Sequence, residues 1–154
     1  VAFGSRCDIK PGTFLVATGA EVRFGPGCIV DRGMTLECRG TIDVGAGTVF
    51  GHHCTLAAGQ QIEIGRDCLI AEMVSIRDHD HAFKADGIPI NQQGQRYAPV
   101  RLGDNVWLGS KVTVTRGVTI GDNVIVGANA VVTDDLPANC IAGGVPARVV
   151  RQRG

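Results

Sequence analysis

The run Val74-Ser75-Ile76-Arg77-Asp78-His79-Asp80-His81 places two imidazoles and two carboxylates side by side. Histidine exchanges a proton near neutral pH, so it is the natural general base for taking a proton from an attacking hydroxyl. Asp78 could orient a ring or bind hydroxyls, although a corner aspartate commonly only hydrogen-bonds its own turn. His52 and His53 form a second histidine pair, and Trp107 is the one tryptophan. Arg148, Arg151 and Arg153 cluster near the end, where planar guanidinium forks suit phosphate oxygens. On residue types alone the bland readings stand beside these. The histidine run is a solvated corner with its aspartates offsetting Arg77, His53 is an exposed turn residue, and the arginines are a solubilising tail.

The elements that must hold these side chains follow from a repeat, sought first because a missed period miscalls a fold. Leu102, Leu108, Val114, Ile120, Val126 and Val132 recur every sixth residue, and a second apolar series sits four places later at Val106, Val112, Val118, Val124, Ala130 and Leu136. The register extends upstream through Ile64, Ile70 and Ile76, through Val44, Phe50 and Leu56, through Phe24, Val30 and Leu36, and back to Phe3, Ile9 and Leu15. Three sixes make one coil of 18 residues, and the early coils, whose starts Phe24, Val44 and Ile64 are 20 apart, carry two extra corner residues each: Val22-Arg23, Ile42-Asp43 and Ile62-Glu63. Short strands with a turn every six residues bury their apolar face only when stacked. The expectation is an all-β parallel β-helix of about six coils, triangular in section, with a loop projecting at about 82–99 where the period breaks. A sandwich would space its turns irregularly, at roughly 8–12 residues. The histidine run then ends the last strand before the loop. Trp107, one place past inward Val106, points outward, where a large ring calls for a partner or ligand to cover it.

Composition agrees. There are 22 glycines, and 19 Val and 12 Ile against 7 Leu, a balance that favours pleated strands and tight turns over helix. Fifteen basic and fifteen acidic residues cancel, which removes the usual electrostatic case for nucleic acid or an anionic membrane. Cys7, Cys28, Cys54 and Cys68 hold the i+4 position of their sixes, and none of the 6 cysteines has C-x-x-C spacing. They read as reduced core fillers, with a cytoplasmic location expected. One domain over 1–154 is expected, with a C-terminal segment at 138–154 and no membrane span, and the start at Val1 instead of Met leaves room for an N-terminal segment upstream.

The repeat, the run Gly103-Asp104-Asn105-Val106-Trp107-Leu108-Gly109-Ser110 and the C-terminal Ala142-Gly143-Gly144-Val145-Pro146-Ala147-Arg148-Val149-Val150 resemble the hexapeptide-repeat acyltransferases, in particular their galactoside and maltose O-acetyltransferase branch. The resemblance implies a left-handed helix, an exception to the usual right-handed crossover. It also implies a homotrimer with active sites between neighbouring subunits, and acetyl-CoA as co-substrate with no metal required. By this likeness His81 matches the general base, His79 is its rival or an acceptor contact, and His53, Asp78 and Trp107 are substrate contacts. Amides near Gly109 and Ser110 would receive the thioester oxygen. Ser110, Ala128 and Thr133 would line the pantetheine and adenine path, and Arg148 and Arg151 would reach phosphates. Asp134 stands where relatives often carry a basic residue, which would weaken one phosphate contact.

The implied activity is O-acetylation of a sugar or glycan hydroxyl by direct attack, with Phe83, Ile88, Pro89 and Tyr97 of the loop shaping the acceptor pocket. The alternatives are N-acetylation of an amino sugar, a γ-carbonic-anhydrase-like metal enzyme, or a non-catalytic assembly module. The metal enzyme would need strand histidines separated by four residues, which this chain lacks.

Overall fold

The computed structural model describes all residues, 1–154. Three parallel sheets form the sides of a prism. The first face stacks Ala2–Phe3, Glu21–Phe24, Thr41–Val44, Gln61–Ile64, Val100–Leu102 and Thr119–Ile120. The second stacks Asp8–Ile9, Ile29–Val30, Val49–Phe50, Leu69–Ile70, Trp107–Leu108, Ile125–Val126 and Cys140–Gly144. The third stacks Phe14–Ala17, Thr35–Cys38, Thr55–Ala58, Ser75–Arg77, Thr113–Val114 and Val131–Val132. The chain therefore completes six coils and begins a seventh, whose Cys140–Gly144 strand turns back antiparallel on Ala147–Gln152. The expected short tail is thus a hairpin that extends the second face.

Both predicted columns point inward. From Phe24 to Val132 every member of the sixfold series is buried, as are Val106, Val112, Val118, Val124, Ala130 and Leu136. The first coil is the exception: Phe3 and Leu15 are exposed, having a coil on one side only, and Phe3 stacks on Phe24 with ring centroids 5.2 Å apart. Corners close through left-handed residues three places after the inward one, among them Asn105, Asn123 and Asn129 with φ of 54°, 59° and 60°. Asparagine tolerates this conformation better than most residues, and its amide adds a ladder, Asn105 Nδ2 donating to Asn123 Oδ1 (2.8 Å) and Asn123 Nδ2 to Asn139 Oδ1 (3.0 Å).

The extra residues of the early coils are not corners. They lengthen strands, so that Val22, Ile42 and Ile62 are buried inward. Inward cysteines do more than fill space: Cys7, Cys28, Cys54 and Cys68 each direct Sγ at a carbonyl of the next coil, at 3.1–3.3 Å. Thr48 occupies the same inward position, buried, donating to the Gly65 carbonyl (2.9 Å) and accepting from the Cys68 amide (3.1 Å). All six cysteines are unpaired. No helix is long and apolar enough to cross a membrane.

The projecting excursion starts earlier than the broken period suggests. His79–His81 pairs antiparallel with Gln95–Tyr97, so the histidines belong to an arm and not to the coil. Ala98 N donates to Asp78 O (2.9 Å) where the arm closes, and Ile62 then pairs directly with Val100.

Candidate active site

At the base of the arm the Asp78 side chain is fully buried. Oδ1 accepts from the Gly59 amide (2.7 Å), and Oδ2 accepts from the amides of Gln60 and Gln61 (2.6 Å each). A buried carboxylate is tolerable only with such a set of donors. Asp78 thereby pins the corner of the preceding coil and also holds His79, whose Nδ1 lies 3.0 Å from Oδ1. The ring's other nitrogen is left for chemistry, the arrangement in which a carboxylate fixes an imidazole's orientation. Tyr97 lies opposite His79, its ring 5.9 Å away and tilted. A Cβ at Gly59 would overlap the Tyr97 ring, so a larger residue there requires that ring to move.

His79 lines a cleft of about 370 Å³ with Val16, Thr18, Glu37, Arg39, Gly59 and Gln95. His81 is exposed and has no hydrogen-bond partner; it borders an adjoining cleft with Arg39, Asn91, Gly94, Gln95 and Tyr97. Strand alternation turns His79 and His81 to one side of the arm and Asp80 to the other. Burial alone would push the Asp80 carboxyl up, but bonds and charge from Arg116 (3.2 Å) and Arg96 (3.3 Å) hold it below the usual carboxylate range. Arg96 also lies over the Phe83 ring, 4.9 Å from its centroid. Asp80 therefore braces the arm from behind while the imidazoles face the clefts.

The other predicted residues lie elsewhere. His52 and His53 sit at the corner between the second and third faces, their rings 5.3 Å apart, and His53 takes the left-handed conformation with φ 57°. Glu72 occupies the same corner one coil on. The Ser110 hydroxyl donates to it at 2.5 Å, which with the other local interactions holds the Glu72 carboxyl below its usual range. The Gly109 amide is already committed to Val126 O (2.8 Å), whereas the Ser110 amide has no protein partner; of the two amides proposed for the thioester oxygen, only Ser110's is free to donate. Ala128 and Thr133 are exposed, Arg148 pairs with Asp134 at 2.8 Å, and Arg151 is exposed without an ion pair. Trp107 stands outward at 49% exposure in a column with Ile29, Val49, Leu69, Ile125 and Ile141. The first face is the opposite in character, its outward side zipped by Arg23 with Asp43 (2.6 Å) and Arg101 with Glu63 (2.9 Å). Neither cleft beside the histidines includes Ser110, Ala128, Thr133, Arg148 or Arg151. No three His, Cys, Asp or Glu side chains converge as metal ligands.

Residues 99–134 match the bacterial transferase hexapeptide family (six repeats). The chain is 33% identical over 159 residues to the putative lipopolysaccharide biosynthesis O-acetyl transferase WbbJ of Escherichia coli, covering 97% of this chain and 81% of that one. This chain belongs to the hexapeptide-repeat acyltransferase family. It is also 38% identical over 125 residues to a probable acetyltransferase of Mycobacterium tuberculosis, spanning 81% of this chain but only 42% of that longer protein. Among solved structures, galactoside acetyltransferase in complex with coenzyme A superimposes with a TM-score of 0.68 at 28% identity, covering 99% of this chain and 65% of that one. As a hexapeptide-repeat acyltransferase, the chain carries polar groups that the period does not single out: Arg39 and Gln95 at both clefts, and Glu72 at the separate corner beside Ser110. Arg39 follows the strand Thr35–Cys38 and no periodic signal marks it; its place at the clefts comes from the arm that folds beside it.

Proposed function

We propose that the chain is an acetyl-CoA-dependent O-acetyltransferase that transfers an acetyl group to a sugar or glycan hydroxyl and works as a homotrimer. The observation that carries this reading is the arm, which sets two imidazoles beside clefts of a size for a saccharide, in a member of a family whose relatives are named acetyltransferases. His81 is the general base. It agrees with the family motif, and its exposed ring has no competing partner. As the acceptor oxygen attacks the thioester carbonyl, His81 takes the hydroxyl proton. The Ser110 amide donates to the developing oxyanion. Collapse of the tetrahedral intermediate breaks the carbon–sulfur bond, and the imidazolium returns the proton to the leaving thiolate, giving the ester and CoA with no covalent enzyme intermediate.

Separation of the histidine clefts from Ser110, Ala128, Thr133, Arg148 and Arg151 within one chain supports a site completed by a second copy. The outward apolar column through Leu69 and Trp107 supports the second face as the packing surface, since a large exposed apolar patch marks an interface. In this reading Arg151 and Arg148 contact CoA phosphates, His53 and Asp78 stand on the acceptor side, Asp78 acting through His79, and the six free thiols suit a reducing cytoplasm. The Asp78–His79 pair favours a second assignment in which His79 is the base.

An acceptor screen with acetyl-CoA, followed by product mass and NMR, tests the activity and separates ester from amide products. His81→Ala should lower kcat by roughly 10²–10⁴, and His79→Ala by less. Reversal of that order moves the base to His79, and a His81→Ala enzyme within a few fold of wild type refutes the assignment. Stoichiometric zinc with loss of activity on chelation would instead favour metal chemistry. Undetectable CoA binding at millimolar ligand would favour an assembly module.

A further inference from the structure

The charges around the two clefts do not cancel. Asp78 is saturated by three amides and His79. Asp80 faces away and is held between Arg96 and Arg116. Glu37 leans toward Arg77, 3.9 Å away. Arg39 alone among the cleft charges has no ion pair and no side-chain hydrogen bond. Its amide is fixed to Ala58 O at 2.8 Å, and it borders both clefts. The cleft beside His81 has no carboxylate in its wall at all; Arg39 is accompanied there by His81, Asn91 and Gln95, each with an N–H able to donate, while the Tyr97 hydroxyl donates to Gln95 Oε1 (2.6 Å). A guanidinium left uncompensated in a concave, donor-rich wall is a receptor for a planar or tetrahedral anion.

We infer that Arg39 is the anion-binding residue of the acceptor site, and that the acceptor is a saccharide carrying a negative charge, either a sugar carboxylate or a sugar phosphate. The inference rests on the acceptor reading above for the location of the sugar. It adds the specificity that this location confers: the anion sits against Arg39, with Gln95, which borders both clefts, contacting the ring that spans them.

Calorimetry or saturation-transfer NMR on the full chain, without turnover, tests this using glucose, glucuronate, glucose 6-phosphate and UDP-glucose as probes. At least one anionic probe should bind about tenfold or more tightly than glucose, as expected for a charge-assisted contact. Arg39→Gln should erase that preference, and Arg39→Lys should keep part of it. Glucuronate against the two phosphates tells which anion is the partner. Equal binding of charged and neutral probes, no binding of any anionic probe at tens of millimolar, or a preference that survives in Arg39→Gln overturns the inference. So does an Arg39→Gln protein whose CoA affinity falls as far as its affinity for the anionic probe, since Arg39 would then belong to the CoA site. Absence of acetyl transfer with the charge preference intact would sink the transferase reading and leave the anion site standing.

Discussion

Replacing Asp78 should unfold the corner that its carboxylate holds, whatever the reaction proves to be. Three amides, Gly59, Gln60 and Gln61, end on its two oxygens at 2.6–2.7 Å. A buried donor left without an acceptor costs roughly 1–3 kcal/mol. Gln60 is exposed and its neighbours are half-buried, so water can recover part of the loss, and the low end of the range applies: about 3 kcal/mol in total for Asp78→Ala. With a urea m-value of about 2 kcal/mol per molar, the midpoint should fall by about 1.5 M. Asp78→Asn should do little better despite its shape. One oxygen faces Gly59 and His79 and the other faces two amides, so the new NH₂ group meets donors on either side. Repeat arrays can lose two-state behaviour, so hydrogen exchange gives the local readout: Gly59, Gln60 and Gln61 should lose protection while Val126 keeps it. An Asp78→Asn midpoint within about 0.3 M of wild type, a small part of the shift worked from the lost bonds, with protection of those amides unchanged, would refute the reasoning.

Other outcomes follow from the same geometry. Trp107→Glu sets a charge in the middle of the apolar column of the second face, and light scattering should show the mass of the proposed trimer dropping to that of one chain; an unchanged mass would place the proposed subunit contacts elsewhere. Burial pushes the Cys54 thiol up to about 11, so at pH 8 only about one in a thousand would be thiolate. Half-exposed Cys7 should react with a disulfide reagent long before Cys54 in native protein, whereas all six should react on unfolding. The neutral Cys54 thiol is the favoured form, so its stabilising contribution is present below pH 9 and is lost as pH rises through about 11. Asp80 has the opposite sign: with its folded carboxyl held below 3.8, its bracing is present above that pH and lost as the solution becomes more acidic. Amide exchange at Ala82 and Ala98 should accelerate there, and Asp80→Asn should remove that dependence.

The spacing of aliphatics made the prism legible because a stacked coil repeats its environment, so one inward position after another selects Val, Ile or Leu. The i+4 cysteines were readable for the same reason, although their bonds to the next coil's carbonyls were not. Where the environment does not repeat, the sequence was silent or misleading. Asp78 reads as a corner aspartate, yet it is buried, because its donors lie 17–19 residues earlier and the arm closes above it. His79 and His81 read as the end of a coil but form half of an antiparallel pair whose other half, Gln95–Tyr97, carries no hexapeptide signal. Arg39 gains meaning only from what folds beside it. Val22, Ile42 and Ile62 look like inserted corners until the longer strand turns them inward.

The excursion leaves and rejoins the coil at one point, Ala98 bonding back to Asp78, with Ile62 of one turn then lying beside Val100 of the next. Its length is therefore decoupled from the stacking above and below. Residues between the paired arms can be exchanged, lengthened or trimmed as a cassette while the prism keeps its register, so under the proposed function selectivity for one acceptor over another can drift or be engineered with little penalty to folding.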